Sequence, residues 1–180
     1  MSKFYTKITS RLQKFIELQK IFFVATAPNS GRINLSPKGM DSFKVMNENR
    51  VLWLNVTGSG NETAAHLLAN NRITIMFCSF EKAPNILRLY GKGKEIKEGD
   101  ENWDALIQLF PETPGTRQIF DIQIESAQTS CGMSIPYFDY KGEREDLNNW
   151  ASEKGKAGIK KYWEEKNQTS IDGLETHILD

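Results

Sequence analysis

Six segments with the apolar pattern of β-strands follow one another through the middle of the chain, and turn-forming residues separate most of them. They are FFVATA (22–27), RINLS (32–36), RVLWLNV (50–56), RITIMFCSF (72–80), NILRLYGKGKEI (85–96) and TRQIFDIQIESAQTS (116–130). Few of the connections between them have a crossover helix, which favours antiparallel pairing over a doubly wound parallel sheet. The pattern therefore predicts a mainly β fold with flanking helices, built around an antiparallel barrel.

Helical patterns surround these strands and set the limits of the expected domain. Trp103, Leu106, Ile107 and Phe110 have the i, i+3, i+4, i+7 spacing of one helix face, and a short helix is expected after the loop at 57–61. The 180 residues fit one domain. We expect an N-terminal helix at about 3–20, the barrel at about 21–132 and a helical extension at about 143–180, whose last dozen residues fray.

The overall composition excludes several kinds of partner. Acidic and basic residues balance at 23 each, so no net field attracts nucleic acid or an anionic membrane. No export signal and no membrane-spanning apolar run is present, and a cytoplasmic protein is expected. Cys78, Cys131, His66 and His177 form no metal-binding or Ser-His-Asp pattern, so no metal is expected and the catalytic residues stay unknown. His66 is more simply a packed or capping histidine than a base.

Two polar segments are the candidates for ligand binding. In the strand at 32–36, Arg32, Asn34 and Ser36 form a polar row that leads into Pro37 and Lys38. A lysine there can donate to a ligand, although most lysines are simply solvated. The second segment, TGSGNET (57–63), joins a buried strand to a helix and has the flexible backbone and free N–H groups that favour an anion such as phosphate. Alternatively, Ser59 or Asn61 only caps the helix.

The segments FFVATAPNSGRINLSPKG, LWLNVTGSGNETAAHLLANNRITIMFCSF and LRLYGKGKEI together resemble the pyridoxamine 5'-phosphate oxidase-like superfamily. QTSCGMSIPYFDYKGERE is similar to the closing segment of one uncharacterised bacterial and fungal branch of it. The resemblance implies an antiparallel six-stranded split β-barrel that binds flavin mononucleotide (FMN). It also implies a homodimer with the cofactor site at the interface.

By position, the resemblance implies a set of cofactor-binding residues. Asn34, Ser36 and Lys38 would face the ring and the ribityl chain, and Asn55 with the glycine-rich loop would approach the ring edge and the phosphate. The full set is Arg32, Asn34, Ser36, Pro37, Lys38, Asn55, Thr57, Gly58, Ser59, Gly60, Asn61, Thr63, Ser130 and Cys131. For Cys131 a buried structural role is at least as plausible.

Two departures from the family pattern limit the functional prediction. Family enzymes have a basic pair at the start of the helix after the phosphate loop, and here Glu62 and Thr63 occupy it, so Arg32, Lys38 or backbone N–H groups must balance a phosphate. The residues that grip the vitamin substrate are not recognisable, and pyridoxal phosphate synthesis is not predicted. The leading hypothesis is an FMN-dependent oxidoreductase with a small-molecule electron donor or acceptor. The alternatives are a non-catalytic protein that binds or senses flavin, F420 or haem, and a ligand-free structural dimer.

Overall fold

Eight antiparallel strands form one sheet in the computed structural model, which describes residues 2–81 and 83–180. In chain order the elements are β1 Lys3–Tyr5, α1 Ser10–Leu18, β2 Phe22–Thr26, β3 Asn34–Lys38, β4 Phe43–Asn47, β5 Arg50–Val56, α2 Glu62–Asn70, β6 Arg72–Cys78, β7 Asn85–Ile96, α3 Trp103–Ile107, β8 Thr116–Cys131 and α4 Asp146–Lys166. The order across the sheet is β3-β2-β6-β7-β8-β5-β4, and β1 pairs with the end of β8.

The sheet curls but is not closed, because β3 and β4 at its two ends are not paired with each other. The predicted antiparallel split barrel is confirmed, but the predicted count of six strands is wrong. The sequence did not indicate two of the strands. They are β1, which has only three residues, and β4 (FKVMN), whose last two residues are exposed. In β4 only Phe43 and Val45 alternate and pack on the core, a run too short to indicate a strand by itself.

Two apolar cores lie on opposite faces of the sheet. Inside the curl, Trp53 packs against Phe120 with ring centroids 4.9 Å apart, and Leu12 and Ile16 of α1 cover one end. Outside the curl, Leu52, Leu54 and Ile119 pack against Trp103, Leu106 and Phe110 from the α3 region. Strand β5 is therefore buried on both faces within one chain, which explains its nearly continuous apolar sequence.

Two glycines of β7 allow the close packing that places α2. Pairing between β7 and β8 shifts register between Tyr90 and Gly91, and a Cβ on Gly91 would lie 2.2 Å from the carbonyl oxygen of Gln123. A Cβ on Gly93 would meet Leu67 of α2 at 3.0 Å. The glycines thus permit a bulge and a close helix approach, which fix α2 against the sheet.

The terminal segments differ from the sequence expectation. The N-terminal helix is shorter than 3–20, because the chain begins with β1 and Thr9 caps α1 by accepting a hydrogen bond from the N–H of Leu12. The helical extension ends at Lys166, and the last residues are packed rather than frayed: Asn167 and Thr176 are fully buried. None of the described helices combines the length and the apolar character needed to span a membrane.

Candidate functional site

A cleft of about 620 Å³ lies between β3, β5, the start of α2 and the residues that follow α4. Edge strand β3 forms one wall. Its residues Asn34, Ser36 and Lys38 are half-buried and line the cleft, while Leu35 and Pro37 point outward and are exposed. The inward row of β3 therefore faces a cleft instead of the apolar core, which is the physical reason that this row is polar.

The loop at 57–61 forms the floor of the cleft beside α2, and its residues make different contacts. Asn61 occupies the position before α2, but its side chain makes no capping hydrogen bond, so the capping alternative is not supported for this residue. Its Oδ1 instead accepts a hydrogen bond of 3.2 Å from Nε2 of Gln118, and its Nδ2 is buried without a partner among the described residues. The Thr57 hydroxyl is hydrogen-bonded within the protein: it donates to the carbonyl of Gly115 and accepts from Nε1 of Trp163.

Arg117 on β8 is a functional candidate that the sequence analysis missed. Its guanidinium lines the cleft although the residue is only 5% exposed. Nη1 donates to the carbonyl of Gly60 at 3.1 Å and to Oδ1 of Asn167 at 2.7 Å, and Nε has no partner among the described residues. Burial lowers the pKa of Arg117 to about 9, which leaves the group charged at neutral pH.

Lys38 brings a second cation to the same cleft. Its Nζ lies 5.4 Å from the centre of the Trp53 ring, a cation–π distance, and no carboxylate forms an ion pair with it among the described residues. Desolvation, with a smaller contribution from the charge of Arg117, lowers the pKa of Lys38 to about 8. Two positive groups therefore share a low-dielectric space, an arrangement that favours an anionic ligand.

His66 and Glu62 project from α2 toward the cleft. His66 is 1% exposed and its Nδ1 lies 3.0 Å from the hydroxyl of Thr26, in agreement with a packed histidine. Its Nε2 is 3.9 Å from the nearer carboxylate oxygen of Glu62 and has no hydrogen-bond partner among the described residues. The Glu62 carboxylate also accepts from the N–H of Ile171, at 3.0 and 3.2 Å.

The segment after α4, residues 167–172, closes the side of the cleft opposite β3, and we call it the C-terminal strap. Nδ2 of Asn167 donates to the carbonyl of Gly58 at 3.1 Å. Asp172 accepts from the backbone N–H of Arg32 at 2.6 Å and forms an ion pair with its guanidinium. These contacts, the backbone hydrogen bond first, hold the pKa of Asp172 below its ordinary value.

Ten of the fourteen predicted cofactor-binding residues line this cleft, and four do not. Those that line it are Arg32, Asn34, Ser36, Lys38, Asn55, Gly58, Ser59, Gly60, Asn61 and Thr63. Pro37 points outward and Thr57 is engaged beneath the loop, while Ser130 and Cys131 lie at the far end of β8. There Ser130 accepts from Arg88, and Cys131 is exposed rather than buried.

The lining residues that the sequence analysis did not assign to the site fall into two groups. Ile33, Trp53, Val56, Glu62, His66 and Arg117 come from the barrel and α2, and Lys166, Thr169, Ser170 and Ile171 come from the region of the strap. The signal for Arg117 was an arginine at the start of the predicted strand TRQIFDIQI, since charged residues are seldom buried without a partner. Nothing in the sequence of the strap indicated that it returns to the cleft.

Comparison with known proteins identifies the family. The family model described as pyridoxamine 5'-phosphate oxidase matches residues 8–131, more than half of the chain. The chain belongs to this family. A relative from Aspergillus flavus, described as pyridoxamine 5'-phosphate oxidase family protein ustO, is 38% identical over 144 residues, which cover 77% of this chain and 58% of the relative. The chain thus spans well under two thirds of that relative's length.

Solved structures support the fold of this pyridoxamine 5'-phosphate oxidase family member. A HupZ variant from Group A Streptococcus superimposes with a TM-score of 0.55 at 22% identity, over 68% of this chain and 99% of that one. A candidate pyridoxamine 5'-phosphate oxidase from Lactobacillus delbrueckii gives a TM-score of 0.56 at 15% identity, over 68% and 94% of the two chains. At these identities the likeness concerns the fold alone.

Proposed function

We propose that the protein binds FMN non-covalently in the cleft between β3 and the strap and acts as an FMN-dependent oxidoreductase. The observation that carries the proposal is that two cations, Lys38 and Arg117, share this cleft. Among the described residues no carboxylate contacts either of them, and the chain belongs to the pyridoxamine 5'-phosphate oxidase family. Such a cleft is suited to a ligand with a strongly anionic end.

The remaining lining fits a planar, polar ring and a hydroxylated chain. Trp53 and Val56 offer apolar surface, and Asn34, Ser36 and Asn55 offer hydrogen-bonding groups. When bound, a flavin supplies hydride or electron transfer between a reduced small molecule, such as a nicotinamide, and an acceptor. The role of the protein is then to orient the ring and to bind the anionic end of the ribityl chain.

The purified protein is expected to be yellow, with absorbance near 450 nm, and to release FMN on denaturation. Mass spectrometry of the released ligand distinguishes FMN from F420 and haem. Incubation of the holoprotein with reduced nicotinamides then tests catalysis by loss of their absorbance. A flavin-bound protein that oxidises no nicotinamide would favour the alternative of a flavin-binding or flavin-sensing protein, and a colourless protein that takes up no FMN contradicts the proposal.

We also propose a homodimer. Strands β5 and β6 hold more apolar residues than one buried strand face requires, which makes them the first candidates for its interface. The second face of β5 is already covered by α3 within the chain. The outer face of β3 is the better candidate, because Leu35 on this edge strand is 63% exposed and Ile33, which precedes the strand and borders the cleft, is 76% exposed. Ser130 and Cys131 would then contact a flavin only if the dimer brings them to a cleft.

Leu35→Lys is expected to convert this dimer to a monomer, because it places a charge in the apolar interface. Light scattering at micromolar concentration provides the mass, which should fall to that of one 20.6 kDa chain. Leu109→Lys is the matched control, since Leu109 is 42% exposed beyond α3, away from β3. A wild-type protein that is monomeric with FMN fully bound would show that one chain is sufficient.

A further inference from the structure

We propose that Arg117 and Lys38 form an oxyanion subsite, and that the C-terminal strap holds Arg117 in place there. The ligand class is a phosphate monoester or an oxyanion of similar charge. Applied to FMN, the inference rests on the function proposed above, and it assigns the phosphate to this pair rather than to the start of α2. The strap lies outside the part of the chain that matches the family, residues 8–131.

The Arg117 guanidinium is surrounded by neutral groups. Its two hydrogen-bonded partners, the Gly60 carbonyl and the Asn167 amide, are both neutral. Glu95 acts on it only through the longer-range field, and burial raises the pKa of that carboxyl. A buried cation without a contacting anion is costly, because desolvation is not repaid by an ion pair. The arrangement is therefore best explained by an anion that arrives with the ligand.

The start of α2 and Arg32, which the sequence favoured for a phosphate, already have partners within the chain. At the start of α2, the Glu62 carboxylate binds the N–H of Ile171 and places negative charge where a phosphate would sit. Arg32 is paired with Asp172 of the strap. Three cleft cations have no contacting carboxylate partner among the described residues: Arg117, Lys38 and Lys166. Lys166 is exposed to solvent, so an anion in the cleft meets Arg117 and Lys38 as the desolvated pair.

Two hydrogen-bond donors at the cleft have no acceptor among the described residues. Nε of Arg117 and Nδ2 of Asn61 are buried and have no partner among the described residues, although both residues line the cleft. Buried donors in folded proteins are nearly always hydrogen-bonded, so orphaned ones at a cleft indicate a missing acceptor. Several oxygens on one group, as in a phosphate, can accept from both.

Asn167 is the positioning residue of this subsite. It is fully buried, and its side chain links Arg117 to the loop carbonyl of Gly58. Its own carbonyl accepts from the hydroxyl of Thr176 at 2.6 Å, which ties the link to the end of the chain. A neutral amide here orients the guanidinium without neutralising it, so the charge remains available to a ligand.

The test compares FMN with riboflavin, which has the same ring and chain but no phosphate. Fluorescence titration of the apoprotein should show a preference for FMN on the order of tenfold to a hundredfold, the range expected of charge-assisted hydrogen bonds. In Arg117→Met this preference should largely disappear, and Arg117→Lys should retain part of it because the charge stays but the planar fork is lost. Arg72→Met is the matched control and should keep the wild-type preference, since Arg72 is exposed on β6 and does not line the cleft.

Asn167→Asp tests the positioning role without removing the cation. A carboxylate beside Arg117 should compete with the ligand phosphate, so the affinity for FMN should fall while that for riboflavin stays nearly constant. A purely structural role for Asn167 would weaken both ligands equally. Circular dichroism and thermal unfolding of each variant verify that the fold is retained, and Arg117→Lys replaces Arg117→Met if the latter does not fold.

The outcomes separate this inference from the proposed function. If FMN binds and Arg117→Met keeps the full preference over riboflavin, or Arg72→Met loses it equally, the subsite is wrong and flavin binding stands. If no flavin binds but inorganic phosphate raises the unfolding temperature of the wild type and not of Arg117→Met, the subsite stands and flavin binding is wrong. If neither flavin nor phosphate binds, both are overturned.

Discussion

Gly91→Ala is expected to destabilise the fold by on the order of 4 kcal/mol or more, because the added methyl group would collide with main chain. The ideal Cβ position lies 2.2 Å from the carbonyl oxygen of Gln123 and 3.2 Å from the Cα of Ile124. Both atoms belong to β8, the strand that pairs with β7 along its whole length. Neither can move aside as a flexible side chain would, so the β7–β8 pairing itself has to shift.

Chemical denaturation, followed by circular dichroism, measures the difference in the free energy of unfolding. Gly158→Ala is the matched control, since Gly158 lies in α4 and its Cβ would contact only the Lys154 side chain, at 3.2 Å and beyond. Alanine is a better helix former than glycine, so this variant should be neutral or more stable by up to about 1 kcal/mol. Equal stability of Gly91→Ala and the wild type would mean that the bulge does not require glycine.

The β7 glycines also show which part of the fold can be predicted from sequence. Strands β5 and β7 have the predicted boundaries, because their apolar residues repeat along the whole length of the strand. The bulge at Gly91 and the helix contact at Gly93 depend on residues far away in sequence, Gln123 and Leu67. No local pattern contains that information, so the curvature of the sheet had to come from the structure.

The site divides in the same way. The polar row of β3 and the loop at 57–61 were predictable, since each is a local departure from an apolar pattern. Arg117 was a single charged residue in a strand, and its role depends on a cleft formed by other elements. The last dozen residues, which include most of the C-terminal strap, were expected to fray because a short polar tail has no periodicity. Asn167 and Asp172 instead fix the strap through contacts with Gly58 and Arg32.

The affinity for FMN should fall as the pH rises through about 8, the pKa of Lys38 in the free protein. A phosphate monoester is a dianion above its second pKa of about 6, so its charge is constant over this range. Above this pKa, each further pH unit lowers the protonated fraction of Lys38 about tenfold. The corresponding loss of binding free energy is at most about 1.36 kcal/mol for each pH unit. An anion favours the charged lysine, so binding near pH 8 to 9 should also take up a proton.

Lys38→Met should bind FMN more weakly at pH 7 and should lose most of this pH dependence. The comparison isolates Lys38, because Arg32, Lys166, Glu62, His66 and Arg117 also face the cleft and stay the same in both proteins. Titrations at a series of pH values from 6.5 to about 8.5, below the pKa of about 9 for Arg117, give the two profiles, and calorimetry in buffers of different ionisation enthalpy counts the protons. Lys38→Arg, which keeps its charge in this range, should retain the affinity at high pH.

Stability of the ligand-free protein should change with pH in the opposite direction. Lys38 has a pKa of about 8 when folded and its ordinary value of 10.5 when unfolded, so between these two the unfolded chain binds more protons. Stability from this group therefore rises with pH across that window, because the folded state no longer has to hold a desolvated charge. The wild type should gain stability relative to Lys38→Met between pH 8 and about 10, while its affinity for FMN declines. If the two proteins keep a constant stability difference over that range and bind FMN with parallel pH profiles, then Lys38 is solvated and does not face the ligand.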